Sequence, residues 1–349
     1  MKVGVLGYAG VGKSTVFAAL TGMELSLTGE TRRAVVTVAD PRLDHLGRVF
    51  QPKKFTPARF DIEECPALPS SSAKGRGGII DALREPDALL LVIGSFEQAL
   101  MMLDDNLHDP VAQLRSLRDE LLLLDLEVVE QRLDRVRERV KRGAGDQVQL
   151  RREASILETV LAAVEADEGI PESSDREWMR LVADLSLFAE KPLIAVLNID
   201  EGAGIDVTTN ALGSAAHGAA VMSATVEYEI GQVEADERSA FLEEYGLEAP
   251  ASERLTRLAY DALDLISFFT VGEDEVRAWP LRRGSNAVTA AGKVHTDLAR
   301  GFIRAEVTPY ERVRLATNAR EFKEMGSADL RGKHYIVQDG DTINIRFSI

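Results

Sequence analysis

At 349 residues, with 45% hydrophobic and 28% charged side chains, the chain has the composition of a soluble globular protein of roughly two or three domains. Its 57 acidic and 41 basic residues leave a formal net charge of −16, so no DNA is expected, and any RNA must be met by one local element. The single cysteine, Cys65, excludes an intrachain disulfide; no apolar run approaches membrane-spanning length, and the start reads as a strand, not a signal peptide. A cytoplasmic protein with no membrane partner is expected.

Lys2–Leu6 is a short apolar strand, Gly7–Ser14 (GYAGVGKS) follows it directly, and Val16–Leu20 opens a helix. That context makes G-x-x-x-x-G-K-[ST] a phosphate site. Glycines at 7, 10 and 12 let several backbone N–H groups turn toward one anion. The helix N-terminus adds its dipole, Lys13 a point charge, and the Ser14 hydroxyl a ligand for Mg²⁺. Gly10, Val11, Gly12, Lys13, Ser14 and Thr15 are thus expected to bind a purine nucleoside triphosphate, with Lys13 also catalytic.

The stretch Leu27–Val38 is polar, then β-branched, as a first switch and second strand would be; Thr28 and Thr31 are its candidate hydroxyls. Asp40 caps a helix over Arg42–Phe50. Ala58–Ile62 reads as a strand ending in Asp61, where a carboxylate would hold the Mg²⁺ shell. Pro66–Gly78, rich in Ser, Gly and Pro, reads as a second switch. Ile79–Arg84 is a helical turn or two, and Ala88–Ile93 a fully covered central strand.

From Asp109-Pro110 onward, apolar residues recur at Leu114, Leu117, Leu121, Leu124 and Val128, then Leu133, Val136 and Val140. Gly143–Gly145 interrupts them, and Leu150, Ala154, Leu157, Leu161 and Val164 resume the spacing as far as Gly169. Two such segments joined by a glycine turn predict an antiparallel helical hairpin. Its tip carries Arg132, Arg135, Arg137, Arg139, Lys141, Arg142, Arg151 and Arg152. These are either a solvated charged face or a contact for ribosome or RNA.

Trp178–Glu190 reads as a helix and Pro192–Leu197 as a strand that delivers Asn198-Ile-Asp-Glu201 into a loop. That pattern departs from N-K-x-D, and guanine preference should weaken. Ala219–Ala224 supplies a strand and a second base-side loop at Ser223 and Ala224. An acidic helical region, Glu234–Glu248, leads to Ala251–Leu265. Strands over Glu275–Pro280 and Phe302–Val307, a helix over Thr289–Leu298 and a hairpin-like pair over Tyr335–Phe347 predict a small β-grasp domain. His295 on that helix reads as structural or as a surface contact.

With these residues in view, the chain resembles the YchF/Obg-like ATPases, a TRAFAC-class P-loop family, along essentially its whole length. The resemblance rests on Val11–Ser14, Asp40–Asp44, Asn198–Glu201, Glu275–Trp279, Ala291–Asp297, Gly301–Val307 and Tyr335–Asp341. It implies an α/β fold: a nucleotide-binding domain with a mostly parallel sheet over 1–108 and 172–262, a coiled-coil insertion over 109–171, and a TGS-like β-grasp domain over 263–349. It also implies a monomer that prefers ATP to GTP through Asn198 and Glu201, hydrolyses it slowly with Mg²⁺ at Ser14, Thr28 and Asp61, and associates with ribosomes. Three features depart from the family pattern. Glu64 stands where D-x-x-G has its glycine, Cys65–Ala73 is mostly Pro, Ser and Ala where the family's second switch is glycine-rich, and Gly10 replaces an asparagine. The alternative they raise is a catalytically impaired adaptor that senses nucleotide.

Overall fold

The computed structural model describes residues 1–25, 31–68, 83–202, 208–234 and 237–348. Its strands are β1 (Lys2–Leu6), β2 (Arg33–Thr37), β3 (Lys54–Thr56), β4 (Arg59–Glu64), β5 (Ala88–Ser95), β6 (Leu193–Ile199), β7 (Ala219–Met222), β8 (Leu265–Thr270), β9 (Glu275–Arg282), β10 (Phe302–Pro309), β11 (Asp329–Arg331) and β12 (Asp341–Phe347). The chain divides into two compact units, Met1–Arg33 with Glu63–Glu234, and Ala34–Ile62 with Ala235–Ile349.

The first unit is built on the parallel ladder β1-β5-β6-β7. Residues Ala88–Gly94 of β5 are all buried, as a strand covered on both faces requires. The helix Pro110–Lys141 starts on an Asp109 cap that accepts the Ala112 N–H, with proline at the first helical position. The return helix, Gln147–Glu165, is capped by Asp146, which accepts from Val148 N and Gln149 N. Between them Gly143 and Gly145 take φ values of 65° and 82°, left-handed conformations that a residue with a Cβ rarely adopts. Leu133, Val136, Leu150, Leu157, Val160 and Val164 form the buried seam of this hairpin. At its base Gln113 is fully buried and tied to β5: its amide accepts from Gly94 N and donates to Gly94 O and Leu107 O, all at 2.9 Å.

The sequence predicts one helix over Trp178–Glu190. It runs instead from Arg176 to Leu185, ends on Ser186 at φ 50°, and gives way to a 3₁₀ turn at Phe188–Glu190. The buried Asp125 carboxylate explains the break, because it accepts the Phe188 and Ala189 N–H groups.

In the second unit the sheet order is β11-β10-β12-β8-β9-β3. The β8–β9 hairpin and the β10–β12 pair are antiparallel, while the last strand, β12, lies parallel to β8 at the centre. Ala287, Ala290 and Ala291 of the helix Ala287–Val294 pack into the core of this β-grasp sheet with Phe268, Leu281, Val307 and Ile343. The expected hairpin over Tyr335–Phe347 is not one. Tyr335–Val337 hydrogen bonds with Ser285 and Ala287, leaving β12 to β10 and β8. Asp341 fixes that turn by accepting from Tyr335 O–H and Gln338 N. The helix expected over Thr289–Leu298 is also two. His295 is extended (φ −163°) and its Nδ1 accepts the Asp297 N–H to start Thr296–Arg300. Short β3, preceded by Lys53 and opening on Lys54, escapes sequence patterning and pairs with β9 at the sheet edge.

Candidate functional site

β1 ends at Leu6, and the chain turns through Gly7–Gly12 into the helix Lys13–Thr21. Gly12 caps that helix at φ 86°, where a Cβ would come within 2.3 Å of Asn198 Nδ2. Only glycine meets both demands. Asn198, 5% exposed at the end of β6, donates to Val11 O (3.1 Å) and accepts from Ala224 N (2.9 Å). One amide therefore ties the glycine loop to the end of β6 and to the start of the helix Ala224–Gln232. Ser223 precedes the helix Ala224–Gln232, and Glu201 lies in the exposed turn after β6. Asp200, passed over in the sequence, accepts the Glu97 N–H at 3.2 Å.

Lys13 is buried, and its Nζ lies 3.3 Å from Tyr8 O. Burial pushes its ammonium below the ordinary lysine range, while the negative charge of Glu64 pulls the other way. Tyr8 also shares a hydrogen bond with Ser116 (2.8 Å), joining the loop to the long hairpin helix. The start of the second-switch segment runs beside the loop through Cys65 N to Val5 O and Leu68 N to Gly7 O. Burial pushes the Cys65 thiol up to about 12, so it stays protonated.

The expected carboxylate position needs correction. β4 does not stop at Asp61 but continues to Glu64, which leaves Asp61 exposed in mid-strand. The carboxylate that reaches Ser14 is Glu64, whose Oε1 accepts the Ser14 hydroxyl at 2.5 Å. Its charge is met by Arg32, with Nε and Nη2 both 2.7 Å from Oε2. Thr28 lies outside the described residues.

A hydroxyl and a carboxylate at one point are hard oxygen donors of the kind Mg²⁺ takes alongside phosphate oxygens, so the residues present fit that ion. Among the described residues no group of three or more His, Cys, Asp or Glu side chains forms a protein-only metal cage. Sequence reasoning missed Arg32; the only available signal was the basic Arg32-Arg33 pair beside Thr31. At the hairpin tip, Arg132 pairs with Glu153, Arg137 with Glu158, Arg142 with Glu138, and Arg152 with Asp175 and Glu177. Arg135, Arg139, Lys141 and Arg151 are exposed.

Comparison with known proteins points to one family. The family model YchF-GTPase_C, described as a protein of unknown function (DUF933), matches residues 265–348. "Ribosome-binding ATPase YchF" of Bacillus subtilis (strain 168) is 34% identical over 376 residues, covering 100% of both chains. The protein of that name from Haemophilus influenzae is 33% identical over 371 residues, covering 100% of this chain and 99% of its own. The structure of the Schizosaccharomyces pombe YchF GTPase superposes with a TM-score of 0.81 at 26% identity, over 99% of this chain and 97% of that one. A GTP-binding protein from Pyrococcus horikoshii OT3, at 20% identity and a TM-score of 0.61 over all of both chains, shares the fold. Glycine loop, Asn198 tie, β-grasp unit and end-to-end similarity together show that the chain belongs to the YchF family.

Proposed function

We propose that the protein binds a purine nucleotide at Gly10–Thr15, prefers ATP to GTP, and hydrolyses ATP slowly as a ribosome-associated regulator. One observation carries this reading: Asn198 holds Val11 of the phosphate loop and Ala224 of the base-side loop together while Lys13 is buried at the same loop. The backbone N–H groups of Gly10–Ser14, the helix N-terminus and Lys13 hold the phosphates, and Ser14 with Glu64 supplies oxygens for Mg²⁺, with Thr28 expected beside them. Bound Mg²⁺ neutralises charge on the phosphate oxygens. The protein's share is positioning, since no side chain acts as a nucleophile. Glu201, Ser223 and Ala224 face the base, with Glu201 in place of the guanine-reading aspartate. Relatives named as ribosome-binding ATPases support the ribosome as partner. The exposed arginines of the hairpin (109–171) and the β-grasp module (263–349) are the contact surfaces, and 1–108 with 172–262 form the nucleotide module of a cytoplasmic monomer. Among the described residues no helix is long and apolar enough to cross a membrane.

Glu64 favours a second reading, because its carboxylate is already engaged by the Ser14 hydroxyl and by Arg32 beside the phosphate loop. The protein would then sense nucleotide without turning it over. Calorimetric titration of ATP, ADP and GTP, followed by a multiple-turnover phosphate assay with Mg²⁺ and ribosomes, separates the readings. Turnover abolished in Lys13→Ala supports the ATPase, and binding without turnover supports the sensor. No saturable uptake of any purine triphosphate rejects both.

A further inference from the structure

Arg32 is anchored more firmly than a surface arginine needs to be. Its Nη1 donates to Glu24 O (3.0 Å), its Nη2 to Ser14 O (3.1 Å), and its guanidinium lies 4.7 Å over the ring of Phe17. Nε and Nη2 reach Glu64, and both side chains are nearly covered, at 10% and 12% exposure. The guanidinium is thus held beside the phosphate loop by contacts independent of Glu64, while the bond to Glu64 is the one an arriving charge can replace. Lys13, Arg32 and Glu64 together carry one excess positive charge, but the single negative group sits on the Ser14 hydroxyl. A polyphosphate entering alone meets that carboxylate and is repelled. A divalent cation entering with it finds a carboxylate and a hydroxyl already together.

We propose that Arg32 and Glu64 exchange partners when nucleotide is loaded, Glu64 turning to the divalent cation and Arg32 to the terminal phosphate. This rests on the nucleotide-binding reading above. Leaving Glu64 frees two adjacent guanidinium N–H donors, and their fork suits two oxygens of one phosphate. Diphosphate offers no terminal group at that place, so Arg32 determines selectivity for the triphosphate. Glu64 makes binding depend on the metal. Glu64 is then one half of a pair, of which Arg32 is the other.

ATP and ADP affinities, measured by calorimetry in excess Mg²⁺ and in excess EDTA, test the exchange in wild type, Glu64→Gln, Arg32→Gln and the double variant. Wild type should bind ATP at least about tenfold more tightly with Mg²⁺ than with EDTA. Glu64→Gln should raise affinity in EDTA about tenfold and shrink the Mg²⁺ dependence. Arg32→Gln should lower Mg·ATP affinity about tenfold while leaving Mg·ADP nearly unchanged. The double variant, which leaves neither charge unpaired, should lose both properties together. Wild-type binding that is equal in Mg²⁺ and EDTA overturns the exchange and leaves nucleotide binding standing. So does a Glu64→Gln protein with wild-type metal dependence, or an Arg32→Gln protein with the wild-type ATP-to-ADP ratio. Absence of ATP uptake by wild type in either buffer overturns the nucleotide reading and the exchange with it.

Discussion

Gly12→Ala tests whether the glycine loop and the segment at Ala224 are one mechanical unit. The new methyl group would meet two penalties. Gly12 sits at φ 86°, a left-handed conformation that costs a residue with a Cβ about 1–2 kcal/mol. Its Cβ would also lie 2.3 Å from Asn198 Nδ2, inside any real contact distance, so the Asn198 amide has to move. Once displaced, that amide cannot keep both the 3.1 Å bond to Val11 O and the 2.9 Å bond from Ala224 N, and each lost buried bond costs about 1 kcal/mol or more. The expected loss is therefore about 2–4 kcal/mol. Gly22→Ala is the matched control, for Gly22 is left-handed too (φ 70°) with open space where the Cβ would go. It should lose only the conformational part, about 1–2 kcal/mol. Urea unfolding of both variants with the nucleotide absent, and ATP titration of both, measure the difference. Gly12→Ala should also weaken ATP binding far more than Gly22→Ala does. Equal losses in the two variants would refute the claim that Asn198 is displaced.

Other consequences follow from single side chains. Gln113→Met strips partners from Gly94 N–H, Gly94 O and Leu107 O in a dry interior, and should cost about 3–5 kcal/mol. Faster hydrogen exchange at the Gly94 amide is the direct reading, and unchanged exchange would show that water replaces the side chain. Leu133→Ala, at a site 1% exposed in the hairpin seam, should destabilise the hairpin by about 2–4 kcal/mol. Amide exchange in 110–165 should rise while ATP affinity holds; a matching loss of affinity would mean that the seam props the nucleotide site directly. In the second unit, burial pushes the Asp339 carboxyl up, but hydrogen bonds from Arg42 and from Ser267 N–H outweigh it and hold its pKa below the ordinary aspartate value. A carboxylate depressed in the folded state stabilises fully above about pH 4 and loses that contribution as pH falls through its lower folded value. Asp339→Asn should thus flatten the acid limb of an unfolding profile. An identical limb in both proteins would assign acid unfolding to other carboxylates.

What the sequence by itself determined was whatever is written in consecutive residues. Gly7–Ser14 between an apolar strand and a helix defines a tight glycine turn into the helix Lys13–Thr21, because that chain geometry is local. The all-apolar run of β5, the heptad spacing on either side of Gly143–Gly145, and the caps at Asp109 and Asp146 are local too, each set by a period or by one side chain and its next turn. Tertiary structure decided the rest. Whether Asp61 or Glu64 meets Ser14 depends on how far β4 keeps its ladder, which is fixed by pairing energy with residues distant in sequence. Tyr335–Val337 looked like half of a hairpin, yet its backbone bonds went to Ser285 and Ala287 once β12 was claimed from both sides. Arg32, Gln113 and Asp125 carry no periodic signal at all. Their roles come from distant backbone and charge that need a partner in a dry place, and burial, not spacing, makes those partnerships strong.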